Sequence, residues 1–152
     1  MNPIKYALED LHEGLEIDLG TYDVTAEEII SFAKQFDPAP FHLDEVAGQA
    51  SLLGGLAASG WHVCSIAMRM MCDHFFLKAT SQGAPGIDEC KWLAPVLAGE
   101  RLSGTLHILS ARLSASRPGF GVAVLRTELR NRKGEAVLMQ TNACMFKSRV
   151  AP

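Results

Sequence analysis

An α+β fold, with a curved antiparallel sheet wrapped around one long apolar helix, is what the order of hydrophobic patterns predicts. Three observations carry that expectation. A single alternating strand pattern comes first, a run of helical patterns follows, and about four strand-like segments in hairpin succession close the chain. The longest helical stretch is apolar on nearly every side, so it needs something around it.

The elements follow in order. Leu15, Ile17 and Leu19 alternate with polar neighbours across 15–24, the period of a half-buried strand. Thr25 and Glu28 have the spacing of a capping box, in which each side chain satisfies the other residue's free backbone N–H. Ile29, Phe32, Ala33 and Phe36 then form one apolar stripe at helical spacing. That helix must stop near Asp37, because Pro38 disfavours helical geometry in the residue before it. The segment HLDEVAGQA has room for a helical turn or two. From Gly60 to Leu77 the residues Trp61, Val63, Ile66, Met68, Met70, Met71, Phe75 and Phe76 cover most of the helical circumference. A helix of that span runs roughly 27 Å, and its apolar surface predicts that it is enclosed.

Segments 87–93, 101–113, 121–130 and 136–148 supply the enclosing strands. Turn signals separate them at Ala94-Pro95 through Gly99, at Arg117-Pro118-Gly119 and at Asn131-Arg132-Lys133-Gly134. A sheet rolled around one such helix is the hot-dog architecture. Its rival, a conical sheet with helices in its mouth, usually begins with helices, whereas here a strand leads.

Composition narrows the function. A chain of 152 residues, 48% of them hydrophobic, suits one globular domain over 1–152. A formal charge of −3 and the lack of any Lys/Arg cluster leave no footprint for nucleic acid. Arg126, Arg130, Arg132 and Lys133 are interleaved with acids and a turn, as on a solvated face. Cys64, Cys72, Cys90 and Cys144 form no CxxC pair, and MNPIKYALEDLHEG lacks the pattern of a secretory signal, so reduced thiols in the cytoplasm are expected. Residues 51–68 carry no formal charge, yet they hold Gly54, Gly55, Ser59, Gly60, His62 and Ser65, with Arg69 and Asp73 close behind. That is a helix for a protein interior and not for lipid. His62 and Cys64 lie two apart on a helix and face different ways, so no metal site is expected.

The chemistry concentrates in FAKQFDPAPFHLDE. In a continuous helix Asp37 and His42, five apart, would point to different sides. Pro38 and Pro40 push Asp37 and Ala39 toward extended geometry, so the acid and the imidazole sit on a stiff loop just past a helix packed by Phe32 and Phe36. Each has a plain reading alone: Asp before Pro is a common turn residue, and a single histidine can fill a core site. Together they are two titratable groups on a rigid connection, suited to proton transfer. Downstream, Ala58-Ser59-Gly60-Trp61 opens the long helix, where backbone N–H groups are unpaired and the dipole is positive. Gly60 has no side chain to hold off an incoming carbonyl, so its N–H is a candidate oxyanion donor. The competing reading has Ser59 capping the helix while Gly60 permits close packing on the sheet.

FDPAPFHLDE, GGLAASGWH and KWLAPVLAGERL together resemble the MaoC-like dehydratases, the family of (R)-specific enoyl-CoA hydratases, over about residues 15–148. The most specific feature is the Asp-x4-His spacing with Pro40 and Phe41 before the histidine. Lys91-Trp92, Pro95-Val96 and Gly99-Glu100 resemble the strand and turn that follow the central helix. The resemblance implies a hot-dog fold acting as a homodimer or larger homo-oligomer, with acyl pockets where subunits meet. It also implies reversible addition of water to a trans-2-enoyl thioester of CoA or of an acyl carrier, within fatty acid metabolism, and no cofactor. The catalytic aspartate, histidine and oxyanion glycine of the family fall on Asp37, His42 and Gly60, with Phe41, Ser59 and Trp61 expected against the substrate. Three positions depart from the family pattern. Phe36 and Ala39 stand where glycine and asparagine are frequent, and Ser59 stands where histidine is frequent.

Met68 and Met71 are further candidates for the acyl wall, and Arg69, Lys78 or Arg126 for the CoA phosphates. Two other functions share this fold: hydrolysis of the thioester itself, and acyl-thioester binding without turnover.

Overall fold

The structure, a computed structural model, describes residues 3–150. Alternation in the sequence becomes strands β1 (Glu16–Asp23), β2 (Glu89–Trp92), β3 (Arg101–Leu113), β4 (Phe120–Arg130) and β5 (Ala136–Lys147). They form one antiparallel sheet in the order β1-β3-β4-β5-β2. Between β1 and β2 lie α1 (Ala26–Phe36), α2 (Glu45–Gln49) and α3 (Gly60–His74), with a 3-10 turn at Pro40–His42 ahead of α2. This is the α+β hot-dog arrangement: sheet strands curve over α3, and short helices decorate the connection into it.

The core is the contact of one sheet face with one face of α3. Leu102, Leu106 and Ile108 of β3 and Ala123, Leu125 and Leu129 of β4 are buried on that sheet face. Val63, Ile66, Ala67, Met70 and Met71 answer them from the helix. Each fully buried aliphatic or methionine side chain of this kind contributes about 1.5–3 kcal/mol. β1 reaches the same helix through a bulge between Asp18 and Thr21. Gly20 sits in it with φ +71°, a left-handed backbone, and a Cβ there would meet the His74 ring at 2.8 Å.

Three expectations need correcting. α3 ends at His74, because Phe75 leaves the helical region (φ −138°) and Phe76–Lys78 continue as a 3-10 turn. The capping box forms only by half: Thr25 Oγ1 accepts the Glu28 N–H at 3.2 Å, while the Glu28 carboxylate turns away to the Tyr22 hydroxyl. Nor is α3 enclosed all round, since Trp61 and Met68 are 64% and 48% exposed. The sheet covers one side of the helix, and the opposite side faces a groove of about 840 Å³ shared with β2 and β5. Among the described residues no helix is long and apolar enough to cross a membrane.

Candidate active site

α1 delivers Asp37 and the proline-rich turn delivers His42. Asp37 is the C-cap of α1, at φ −154° and ψ 73°, and its N–H still bonds to Ala33 O. Ala39 is extended (φ −67°, ψ 139°), after which Pro40 opens the 3-10 turn that contains His42. The two prolines thus break the helix where the sequence places them and turn the imidazole back toward the acid. His42 Nε2 lies 3.3 Å from Asp37 Oδ2; the histidine side chain is buried and the carboxylate is 33% exposed.

Both groups are held from behind. His42 Nδ1 is 2.6 Å from Ala57 O, and a carbonyl only accepts, so Nδ1 carries a proton and Nε2 is the nitrogen free for exchange. The Ser59 hydroxyl donates to Asp37 Oδ2 at 2.7 Å. Oδ2 accepts from Ser59 and lies against His42 Nε2, while Oδ1 has no partner among the described residues. Ser59 is fully buried and its side chain makes no cap bond to α3. The expected cap bond is absent, and the hydroxyl is spent on the Asp37 carboxylate instead.

Gly60 begins α3, and its N–H has no partner among the described residues. A Cβ at this position would lie 2.6 Å from Trp92 Cε2. The indole in turn donates from Nε1 to Gly60 O at 2.8 Å. The close-packing explanation of Gly60 is thus realised, and it coexists with an amide left free at a helix start. Gly60, His42 and Phe41 line one cavity of about 350 Å³ with Leu53, Val63 and Trp92. Phe41 meets the His42 ring edge-on at 4.6 Å.

The other expected contacts separate from this cluster. Trp61 stands edge-on to Trp92 at 5.2 Å and lines the groove on the far side, as do Met68 and Met71. Met71 is also tied to the core, where Thr127 Oγ1 donates to its sulfur at 3.0 Å. Arg69 is paired with Asp73 at 3.0 Å. Cys64 and Cys90 are free thiols 3.7 Å apart, and burial followed by the charge of Cys90 pushes the Cys64 thiol up to about 12. Among the described residues no three His, Cys, Asp or Glu side chains converge as metal ligands would.

A second acid–imidazole pair escaped sequence reasoning. His62 is buried, stacks on Phe32 with centroids 4.8 Å apart, and places Nε2 3.4 Å from Glu28 Oε1. Burial pushes the His62 pKa down against the opposing pull of Glu28, and it pushes the Tyr22 hydroxyl up to about 12 with Glu28 adding to the effect. The signal was present but spent elsewhere: Glu28 read as half of a capping box, and His62 as one polar residue in an apolar helix.

The chain matches the family model described as MaoC like domain over residues 14–125. It is 36% identical to the solved MaoC-like dehydratase from Rhodospirillum rubrum, with 96% of this chain and 99% of that chain covered and a TM-score of 0.89. An (R)-hydratase from A. caviae involved in PHA biosynthesis shares the fold at 18% identity, with 92% and 98% covered and a TM-score of 0.71. The uncharacterized protein YdeM of Bacillus subtilis (strain 168) is 22% identical over 104 residues, which are 68% of this chain and 74% of YdeM. Matched over most of its length by that family model, and folded as a hot-dog, the chain belongs to the MaoC-like dehydratase family.

Proposed function

We propose that the protein is a hydro-lyase that reversibly hydrates trans-2-enoyl thioesters, with CoA as the thioester handle, to 3-hydroxyacyl thioesters. The observation that carries this reading is the Asp37–His42 contact of 3.3 Å beside the cavity lined by Gly60. Family membership and the fold of hydratase neighbours support hydratase/dehydratase chemistry in general.

The thioester carbonyl lies in the cavity with its oxygen on the Gly60 N–H. Attack of water at the β-carbon sends charge toward that oxygen, and a free amide at a positive helix end stabilises it more than the ground state. Water rests between Asp37 Oδ1 and His42 Nε2. Because Nδ1 is committed to Ala57 O, proton traffic through His42 runs only through Nε2. One member of the pair takes the proton of water and the pair returns a proton to the α-carbon. Addition of water changes no oxidation level overall, so the chemistry calls for no redox cofactor. Reduced thiols and a CoA substrate fit a cytoplasmic enzyme of fatty acid metabolism.

The protein acts as a homodimer in this reading. β2 is an edge strand, and the adjoining groove exposes Trp61, Met68 and Ile87. A second copy of the chain laid edge to edge would pair that strand and cover the apolar face. Sedimentation of the purified protein reads the assembly directly, and a monomer at micromolar concentration removes this element of the proposal.

Crotonyl-CoA tests the activity. Hydration removes enone absorbance with no thiol released, whereas thioester hydrolysis releases free CoA thiol that a disulfide dye detects. Thiol release without enone loss would replace the hydratase by a thioesterase; ligand-induced stabilisation with neither signal would leave a binding module.

A further inference from the structure

The candidate oxyanion donor sits on the residue type least able to hold itself still. Gly60 has no Cβ to pack, and glycine has more conformational freedom than any other residue. Ser59 makes no side-chain cap bond to α3, because its hydroxyl is turned to Asp37 Oδ2 at 2.7 Å. The first backbone bond of the helix runs from Val63 N–H to Ser59 O at 3.0 Å, three residues past the Gly60 amide. A donor of this kind stabilises developing charge only if it is fixed beforehand, to within about 0.5 Å of its working position. Something outside the helix has to fix it.

Trp92 meets that need. Lys91 and Trp92, the last residues of β2, pair with Met139 and Leu138 of β5, and the Leu93 N–H bonds to Val137 O at 2.9 Å. The strand is thereby fastened to the sheet on either side of the indole. The ring lies so close to Gly60 that a Cβ there would be 2.6 Å from Cε2 and 2.9 Å from both Cδ2 and Nε1. Nε1 also donates to Gly60 O at 2.8 Å, which ties down the peptide that follows the glycine. Trp61 meets the indole edge-on at 5.2 Å, so the ring is held between helix and strand. Upstream, the Ala58 N–H bonds to Val96 O at 2.8 Å, which anchors the approach to the helix on the same stretch of chain.

We propose that Trp92 is a positioning residue for the oxyanion donor: it clamps Gly60 from the sheet, so the amide N–H keeps one direction as charge develops on the thioester oxygen. The proposal rests on the hydratase reading above and adds to it the side chain that holds the donor. Trp92 also lines the cavity shared by His42 and Gly60, so it could act as a plain wall. The two roles separate kinetically. A wall changes how tightly the substrate binds, whereas a clamp changes how much better the transition state is held than the bound substrate.

The test uses the full-length protein with crotonyl-CoA and two variants. Trp92→Phe keeps a ring over Gly60 and removes its N–H; Trp92→Ala removes both. The clamp predicts kcat about fivefold lower in Trp92→Phe and about 10²-fold lower in Trp92→Ala, with KM in Trp92→Phe changed by less than about twofold. Infrared spectra of bound crotonyl-CoA carrying ¹³C at the thioester carbonyl read the donor directly. In the parent the carbonyl stretch should move to lower frequency on binding; in Trp92→Phe the band should broaden and return toward its position in free ester. A rise in KM with kcat unchanged overturns the proposal, as does the same carbonyl band in parent and Trp92→Phe. Should Trp92→Ala fail to fold, Trp92→Phe decides alone. Should crotonyl-CoA be neither hydrated nor bound, the hydratase reading fails on its own, and ¹⁵N relaxation of the Gly60 amide still decides the clamp. Its order parameter is expected at about 0.85 in the parent and lower in Trp92→Phe. Equal values in the two proteins would sink the clamp.

Discussion

Two carboxylate–imidazole pairs flank the first turn of α3, at nearly the same separation and in different states of completion. His42 and Asp37 meet at 3.3 Å, and each is anchored by a further partner: Ala57 O behind the ring, Ser59 Oγ behind the acid. His62 and Glu28 meet at 3.4 Å, and that contact, stacking on Phe32 and burial hold the ring, with no hydrogen-bond partner at Nδ1 among the described residues. An anchored tautomer and an oriented carboxylate make a proton-transfer device. Separation between acid and base therefore says little by itself; the groups behind them decide the role.

The largest effect that can break this contrast lies in the anchored pair. Asp37→Asn and His42→Ala should each lower kcat/KM for enoyl-CoA hydration by about 10²–10⁴-fold, with circular dichroism unchanged. Glu28→Gln should cost far less on a plain enoyl ester. Equal losses in the two pairs would erase the distinction.

Next comes the amide between them. In Gly60→Ala the new methyl meets the Trp92 indole at 2.6 Å, so either the indole or the first turn of α3 must move. Overpacking of this kind costs about 1–3 kcal/mol in stability, read by urea unfolding. Displacement of the oxyanion donor should lower kcat by about 10²-fold. A variant of full stability and full rate would show that Gly60 is neither packed nor used as described.

Ser59→Ala sharpens the comparison at smaller scale. It removes the hydrogen bond to Asp37 Oδ2, and a bond to a charged acceptor is worth about 1.5–3 kcal/mol, so kcat should fall roughly tenfold with KM little changed. A change in KM alone would return Ser59 to the substrate contact that the sequence predicted.

The smallest effect is on stability against pH. Burial holds the His62 pKa below its ordinary 6.5 despite Glu28. The unfolded chain thus binds protons more readily at this residue, and the stability contributed by the neutral ring is complete above about pH 6.5 and lost as pH falls through the folded pKa. Denaturant unfolding of the protein and of His62→Phe between pH 8 and pH 5 should show the parent losing more stability toward acid. Parallel curves would mean that the ring titrates as it does in water.

Much of this was legible in the sequence for a definable reason. β3 keeps the predicted range 101–113, because Leu102, Leu106 and Ile108 alternate faithfully against the core. Asp37 and His42 were legible because prolines fix backbone geometry locally, whatever the rest of the chain does. What stayed hidden depends on long-range contacts. Ala57 O is a backbone atom with no side-chain signature, and Ser59 sits 22 residues from the carboxylate it orients. Trp61 follows Gly60 in the sequence, yet one helical step turns it from the His42 cavity toward the groove it shares with Met68 and Met71. The enclosure of α3 was overread for a related cause: hydrophobicity on every face predicts a cover for every face, without saying that this chain supplies all of it.

Isotopic water tests the central claim most directly. In H₂¹⁸O with a trans-2-enoyl-CoA ester, the account predicts label in the C3 hydroxyl of an intact thioester, entering about 10²–10⁴-fold more slowly with folded Asp37→Asn or His42→Ala protein. Label in a released carboxylate, or undiminished C3 labelling in both variants, would contradict it.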